Sequence, residues 1–336
     1  MPTAPASFTR RHVLAASAAS VLAPRPSQGA ADGSPARIGW LKIQGPRHTP
    51  GQLRAFREGL QALGLVEGRD YLLEQRYADG NESRLPGLAA DLLHAGVAII
   101  VATSQPSIAA AARVTTSVPV IGRMVDDPTA NGLARTLARP GGNVTGIYTM
   151  TEELNPKRLS LLKEAVPSLR LVGVLLQRDF PSTKNVESDW RVVELAAREL
   201  NLKLLPLDAH SAADLRAAFA RAAAEHADGI MTFRTPTVVT YLTLIAELCR
   251  QHRLAAVFDA REYVEAGGLL SYGPNIDGTY RQLASYADKL LHGTAPAELP
   301  IEQPTQFELV INRHTADALG IAVPPALLAR ADEVIR

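Results

Sequence analysis

Cysteine is nearly absent from this chain: Cys249 is the only one in 336 residues. A single thiol forms no internal disulfide, and it does not follow the N-terminal apolar run where a lipid anchor would need it. Its place in the apolar stretch 244–254 predicts a buried thiol. Aromatic residues are also sparse, at 5%. Neither sign of charge dominates, with 35 basic against 34 acidic residues. Removing Arg10, Arg11 and Arg25 with the leader described below leaves 32 basic residues. That balance gives no electrostatic footing for nucleic acid or for an anionic membrane. No G-x-G-x-x-G or P-loop follows any apolar run, so dinucleotide and ATP binding lack their phosphate cradle. No G-x-S-x-G elbow occurs, and no nucleophile–base pair stands out. The eight histidines, His48, His94, His210, His226, His252 and His314 among them, are scattered singly. No two share a helix at metal-ligand spacing, so neither a metal nor a cofactor is expected.

What is present begins at the N-terminus. Arg10 and Arg11 precede residues 13–23, an apolar run of only Val, Leu, Ala and Ser, followed by Pro24-Arg25-Pro26 and small residues at 27–31. Basic start, short apolar core and small-residue site are the order of an export signal. The adjacent arginines are its twin-arginine variant, an address read by a translocase. Eleven apolar residues are too few to cross a bilayer, which takes about 20. Residues 1–31 are therefore expected to be removed by cleavage between Gly29 and Gly33. The mature chain is expected to be a soluble, untethered monomer in the periplasm.

About 305 residues remain, more than one core usually carries, so two domains are expected. Short apolar runs at 38–41, 71–77, 98–103, 118–125, 144–148, 171–176, 203–207, 229–233, 255–258 and 268–272 have the length and composition of strands covered on both faces. Between them lie helical faces: Leu53, Phe56, Leu60 and Leu63; Leu85, Leu88 and Leu92; Val186, Trp190, Val193 and Ala197; and Leu215, Ala218, Phe219 and Ala222. Ser211 and Asp214 form a capping-box-like start for the last of these. Gly64, Gly96 and Gly293 stand where helices should stop. Strand alternating with helix predicts an α/β protein with two parallel sheets built from right-handed crossovers. A turn cluster at Arg139-Pro140-Gly141-Gly142-Asn143 precedes the break, giving one unit over 36–148 and a second from 149.

In open parallel sheets, ligands bind beyond the carboxyl ends of the strands. That rule selects Thr103, Ser104 and Ser107, whose hydroxyls and helix start suit a carboxylate. It selects Asp126 and Asp127 for an ammonium group, and Arg178, Arg234 and Arg261 for a carboxylate, with Asp179 and Asp259 beside them. Tyr272 offers a stacking face for a planar ligand. Each has a plainer role open to it: Ser104 as a helix cap, Asp127-Pro128 as a helix start, and Arg261 with Glu262 as a surface ion pair.

The chain also resembles a known family, the ABC transporter substrate-binding proteins whose better-known members bind aromatic amino acids. The resemblance rests on Phe56-Arg57-Glu58-Gly59-Leu60 through Leu65-Val66-Glu67-Gly68-Arg69, and on Ala138-Arg139-Pro140-Gly141-Gly142-Asn143-Val144-Thr145-Gly146. It continues in Leu161-Leu162-Lys163-Glu164-Ala165-Val166-Pro167 and in Arg261-Glu262-Tyr263-Val264-Glu265-Ala266-Gly267-Gly268-Leu269-Leu270-Ser271-Tyr272-Gly273. Gln303-Pro304-Thr305-Gln306-Phe307-Glu308-Leu309-Val310-Ile311-Asn312 and Pro324-Pro325-Ala326-Leu327-Leu328-Ala329-Arg330-Ala331-Asp332-Glu333 complete it.

The resemblance implies a type I periplasmic-binding-protein fold, two Rossmann-like lobes joined by a three-segment hinge. The N-terminal lobe would comprise 36–148 and 273–298, and the C-terminal lobe 149–272 and 299–336. The crossings would fall near 148–151, 271–275 and 299–305. The implied function is that of a receptor that holds a small molecule between the lobes and delivers it to an ABC-type membrane permease, without chemical change. An exported enzyme working in the same cleft, or a ligand-sensing regulator of the same fold, are the alternatives. Members commonly carry Asn-Pro where this chain has Arg178-Asp179-Phe180-Pro181, and Asp-Pro where it has Arg234-Thr235-Pro236. Those basic replacements favour a small anionic or zwitterionic ligand, a dicarboxylate or acidic amino acid before a neutral aromatic one.

Overall fold

The structure is a computed structural model that describes Met1 and residues 34–48, 50–150, 153–178 and 186–336. The leader and Asp179 lie outside the described residues.

The first half alternates strand and helix: β1 (Ala36–Lys42), α1 (Pro50–Ala62), β2 (Tyr71–Tyr77), α2 (Leu85–His94), β3 (Ile99–Ala102), α3 (Gln105–Val114), β4 (Val120–Met124) and β5 (Val144–Tyr148). The second half runs α4 (Asn155–Ala165), β6 (Leu171–Leu176), α5 (Val186–Glu199), β7 (Lys203–Asp208), α6 (Ala212–Ala224), β8 (Gly229–Thr232), α7 (Pro236–Thr240), α8 (Leu242–Gln251), β9 (Ala255–Phe258), α9 (Arg261–Glu265) and β10 (Leu270–Pro274). The chain then continues through α10 (Ile276–Leu291), β11 (Phe307–Asn312), α11 (Arg313–Leu319), α12 (Pro325–Leu328) and β12 (Glu333–Ile335).

Two sheets result, in the orders β2-β1-β3-β4-β5 and β12-β11-β10-β9-β8-β6-β7. All pairings are parallel except β10 with β11. β3, β4, β5, β8 and β9 are buried along their whole length, which is why they are largely apolar, with Arg123 of β4 the charged exception. β11 and β12 were not among the strands expected from sequence. The polar residues Glu308, Asn312 and Glu333 interrupt their apolar runs, and β12 is only three residues long.

After β10 the chain returns to the first sheet, where α10 packs along α1. Gly59 permits this approach, because a Cβ there would stand 2.7 Å from both Ala284 Cβ and the Arg281 carbonyl oxygen. Phe56, Trp40 and Tyr280 meet beneath, with ring centroids 5.6 and 5.7 Å apart. Burying each of these rings is worth roughly 1.5–3 kcal/mol. Leu63, expected on this face, falls beyond the end of α1 and is 46% exposed. Ser211 caps α6 as expected: its Oγ accepts the Asp214 N–H at 3.2 Å, and the Asp214 carboxylate accepts from the His210 N–H at 3.1 Å.

The start of the segment expected to form the third crossing lies beside the first sheet. Glu302 N–H donates to the Gly146 carbonyl at 3.1 Å, and Tyr148 N–H donates to the Glu302 carbonyl at 2.8 Å. Residues 299–302 thus extend the edge of the first sheet beside β5 and cross only afterwards.

Candidate functional site

The carboxyl ends of β3 and β4 face that of β8 across a cavity of about 600 Å³, including its opening to solvent. The first lobe contributes Gln44, Thr103, Ser104, Gln105, Arg123 and Asp126; the second contributes Arg234, Thr235, Pro236 and Val239. Among the described residues no aromatic side chain lines it.

Ser104 is the N-cap of α3, with its Oγ accepting the Ser107 N–H at 3.4 Å and lying 2.8 Å from the Ser107 hydroxyl. Pro106 has no N–H, and that of Ser107 is already engaged. The helix start therefore offers a carboxylate fewer backbone donors than the residue types alone suggest. Thr103 Oγ1 donates to the Leu41 carbonyl at 3.4 Å, while the Thr103 carbonyl accepts from Tyr280 OH at 3.2 Å.

The cationic chemistry comes from Arg123 and Arg234. Arg123 lies in β4 at 2% exposure. One of its terminal nitrogens donates to Thr149 Oγ1 at 3.3 Å, and its Nε has no hydrogen-bond partner among the described residues. Burial, then the neighbouring Arg234, depress its pKa. Arg234 pairs with Asp259 at the carboxyl end of β9. Burial opposes the charge on both partners, but their mutual attraction outweighs it and keeps the pair ionised. Arg158 adds a further cation behind Asp259 and donates from Nε to the Tyr272 carbonyl at 2.7 Å. The backbones here are in close contact: a Cβ on Gly273 would collide with the Asp259 carbonyl oxygen. Lys42, at the end of β1, has its pKa lowered to about 8 by burial and then by Arg234. Its Nζ donates to the His48 carbonyl at 2.5 Å and to Gln52 Oε1 at 3.3 Å.

The sequence-selected residues separate into two groups. Thr103, Ser104 and Arg234 line the cavity, and Asp259 stands behind it as the partner of Arg234. Asp127 lines an adjoining chamber, and its carboxylate accepts from the Thr129 N–H and hydroxyl at 2.8 and 2.7 Å in a turn, not at a helix start. Of the three arginines selected for a carboxylate, the structure brings Arg234 to the cavity. Arg178 is exposed and lies 3.4 Å from Glu187. Arg261 is held by Glu265 at 2.9 Å and Glu333 at 2.6 Å, at the mouth of a lower chamber. Tyr272 packs at a tilt on Phe307, with centroids 6.1 Å apart, away from the cavity.

Arg123 was missed. Its signal was an arginine inside an apolar run expected to be buried on both faces, an arrangement proteins avoid without a reason.

The family model for ABC transporter substrate-binding proteins matches residues 50–335. The chain belongs to this family. A curated relative, the tyrosine-binding protein of Clostridioides difficile (strain R20291), is 23% identical over 273 residues, which are 80% of this chain and 76% of the relative. Among solved structures, a conserved domain protein from Vibrio cholerae O1 biovar El Tor is 27% identical, with a TM-score of 0.80 over 90% of this chain and all of that one. An ABC domain from Streptococcus pneumoniae in complex with L-Trp is 22% identical, also with a TM-score of 0.80 over 90% of this chain and all of that one. Like these structures, the substrate-binding protein has the type I periplasmic-binding-protein fold. Among its described residues no helix is long and apolar enough to cross a membrane, and no group of three or more side chains is suited to hold a metal ion.

Proposed function

We propose that this chain is the solute receptor of an ABC importer: it closes its two lobes around a small anionic or zwitterionic molecule and presents it to a membrane permease. The observation that carries the reading is Arg123, a buried cation from one lobe, meeting Arg234 of the other above Ser104 and Gln105. A ligand carboxylate placed there touches both lobes at once. It therefore binds the closed state more tightly than the open one, and that difference drives closure. The work done is binding and presentation, with no bond made or broken.

The relatives named for tyrosine and found with L-Trp support an amino acid or a related carboxylate. The site is assigned to Thr103, Ser104, Arg123 and Arg234, with Asp259 holding Arg234 and Asp126 beside it. The leader would send the folded chain through the twin-arginine translocase, and the mature receptor would work as a monomer in the periplasm. Native mass spectrometry of protein purified from the periplasm tests the reading. A mass excess lost on denaturation, belonging to an acidic or zwitterionic solute, is expected. A bare chain that no acid or amino acid stabilises against heat would contradict it.

A further inference from the structure

The cavity is not closed on its outer side. Val125 and Asp126 line it and also line a second chamber, whose other polar walls are Asp127, Tyr148, Glu153, Ser188 and Asp189. Both lobes build this chamber too: Asp126 and Asp127 follow β4, whereas Asp189 projects from the first turn of α5. Its charge is opposite to that of the first chamber. Four carboxylates line it and, among the described residues, no cation does. Three of the four are engaged locally, Asp127 by Thr129, Glu153 by the Tyr148 hydroxyl and Asp189 by Ser188. Asp126 and Asp189 face each other from opposite lobes. Burial, then Glu153, pushes Asp126 up to about 6; burial, then Asp126 and Glu153, pushes Asp189 up to about 7. At the inner end, two buried polar atoms lack a partner among the described residues: Arg123 Nε and Gln105 Oε1.

We propose that the two chambers form one site for an elongated zwitterion, an ω-amino or ω-guanidino carboxylate with its anionic end between Arg123 and Arg234 and its cationic end between Asp126 and Asp189. The assignment rests on the receptor reading above and narrows its ligand class. An α-amino acid with an uncharged side chain attaches both charged groups to one carbon and cannot place them in separate chambers. A dicarboxylate, which the sequence favoured, would bring its second charge against four carboxylates. An ω-amino acid matches both ends, and each end of it contacts both lobes.

Calorimetry on the mature chain, with probes matched in length, tests this. The probes are the ω-amino acids of three to six carbons, with the diacid and the simple monoacid of each length. At pH 7.5 at least one ω-amino acid should bind at least about tenfold tighter than its diacid. Its affinity should rise from pH 5 to pH 8 as the outer carboxylates ionise. Asp189→Asn should bring the amino acid and the diacid to within about twofold, and Arg123→Gln should weaken every probe. The comparison of probes on the parent protein needs no variant to fold. A diacid equal to or tighter than the matching amino acid overturns the proposal, as does a failure of all the ω-amino acids to bind. A solute of other chemistry retained from the periplasm would then leave the receptor reading standing while this proposal fell.

Discussion

Replacing Asp259 by Asn removes one charge from the floor of the cleft while keeping the side chain's shape. Asp259 and Arg234 are 2% and 10% exposed at their side chains, so neither can turn to solvent for a substitute partner. Arg123 and Arg158 also act on Asp259 electrostatically. Without that carboxylate, three guanidinium groups share one water-poor region. Glu262 is the remaining acid nearby, and burial raises its pKa, so it compensates weakly. Breaking a buried pair by removing one partner costs about 3–5 kcal/mol. At about 2–4 °C per kcal/mol for a chain of this size, Asp259→Asn should lower the melting temperature by roughly 6–20 °C. Calorimetry at pH 7.5 without ligand reads this directly. Combining it with Arg234→Met should recover part of the loss, because the stranded charge is then removed. A single variant within about 3 °C of the parent, or a double variant worse than both singles combined, would refute the buried pair as an electrostatic unit.

Three further outcomes are expected, two from the structure and one from the sequence of the leader. Asp126 and Asp189 bind protons more tightly in the folded chain than in the unfolded one, where aspartate titrates near 3.9. Their contribution to stability therefore falls as pH rises from about 4 to about 7 and then levels off. Urea denaturation at pH 5 and pH 8 should show Asp189→Asn gaining stability over the parent as pH rises, and a constant difference would count against the buried acidic chamber. Gly273→Ala should destabilise the protein and weaken solute binding together, because its Cβ displaces the Asp259 backbone; a variant with parental melting and affinity would rule out the close approach. Changing Arg10 and Arg11 together to Lys should abolish periplasmic accumulation, and normal accumulation would point to the general secretory route.

The alternation of strand and helix was legible because buried parallel strands must be apolar throughout and helices must carry an apolar face. Runs such as 144–148, 171–176 and 255–258 coincide with β5, β6 and β9. The edge of the second sheet was not legible as strands, since Glu308 and Asn312 break the apolar pattern of β11 and β12 is only three residues long. The cleft was legible only as a location. The carboxyl-end rule led to Thr103, Ser104 and Arg234, but it could not say which of several basic residues would be claimed by local partners. Arg261 is drawn away by Glu265 and Glu333, contacts that depend on β12 and its place in the sheet. Arg123 was overlooked because the rule searches loops after strands, whereas this side chain reaches the cleft from within β4. Asp189 carries no local signal at all: only the packing of α5 brings it to Asp126.

The central claim is that one solute, held by both lobes, closes the molecule. Small-angle scattering tests it most directly. Protein purified with its solute, the same protein stripped by unfolding and refolding, and the stripped protein with the solute restored should be compared. A radius of gyration that grows on stripping and shrinks again on restoring the solute is the expected result; three superimposable curves would contradict closure around a bound solute.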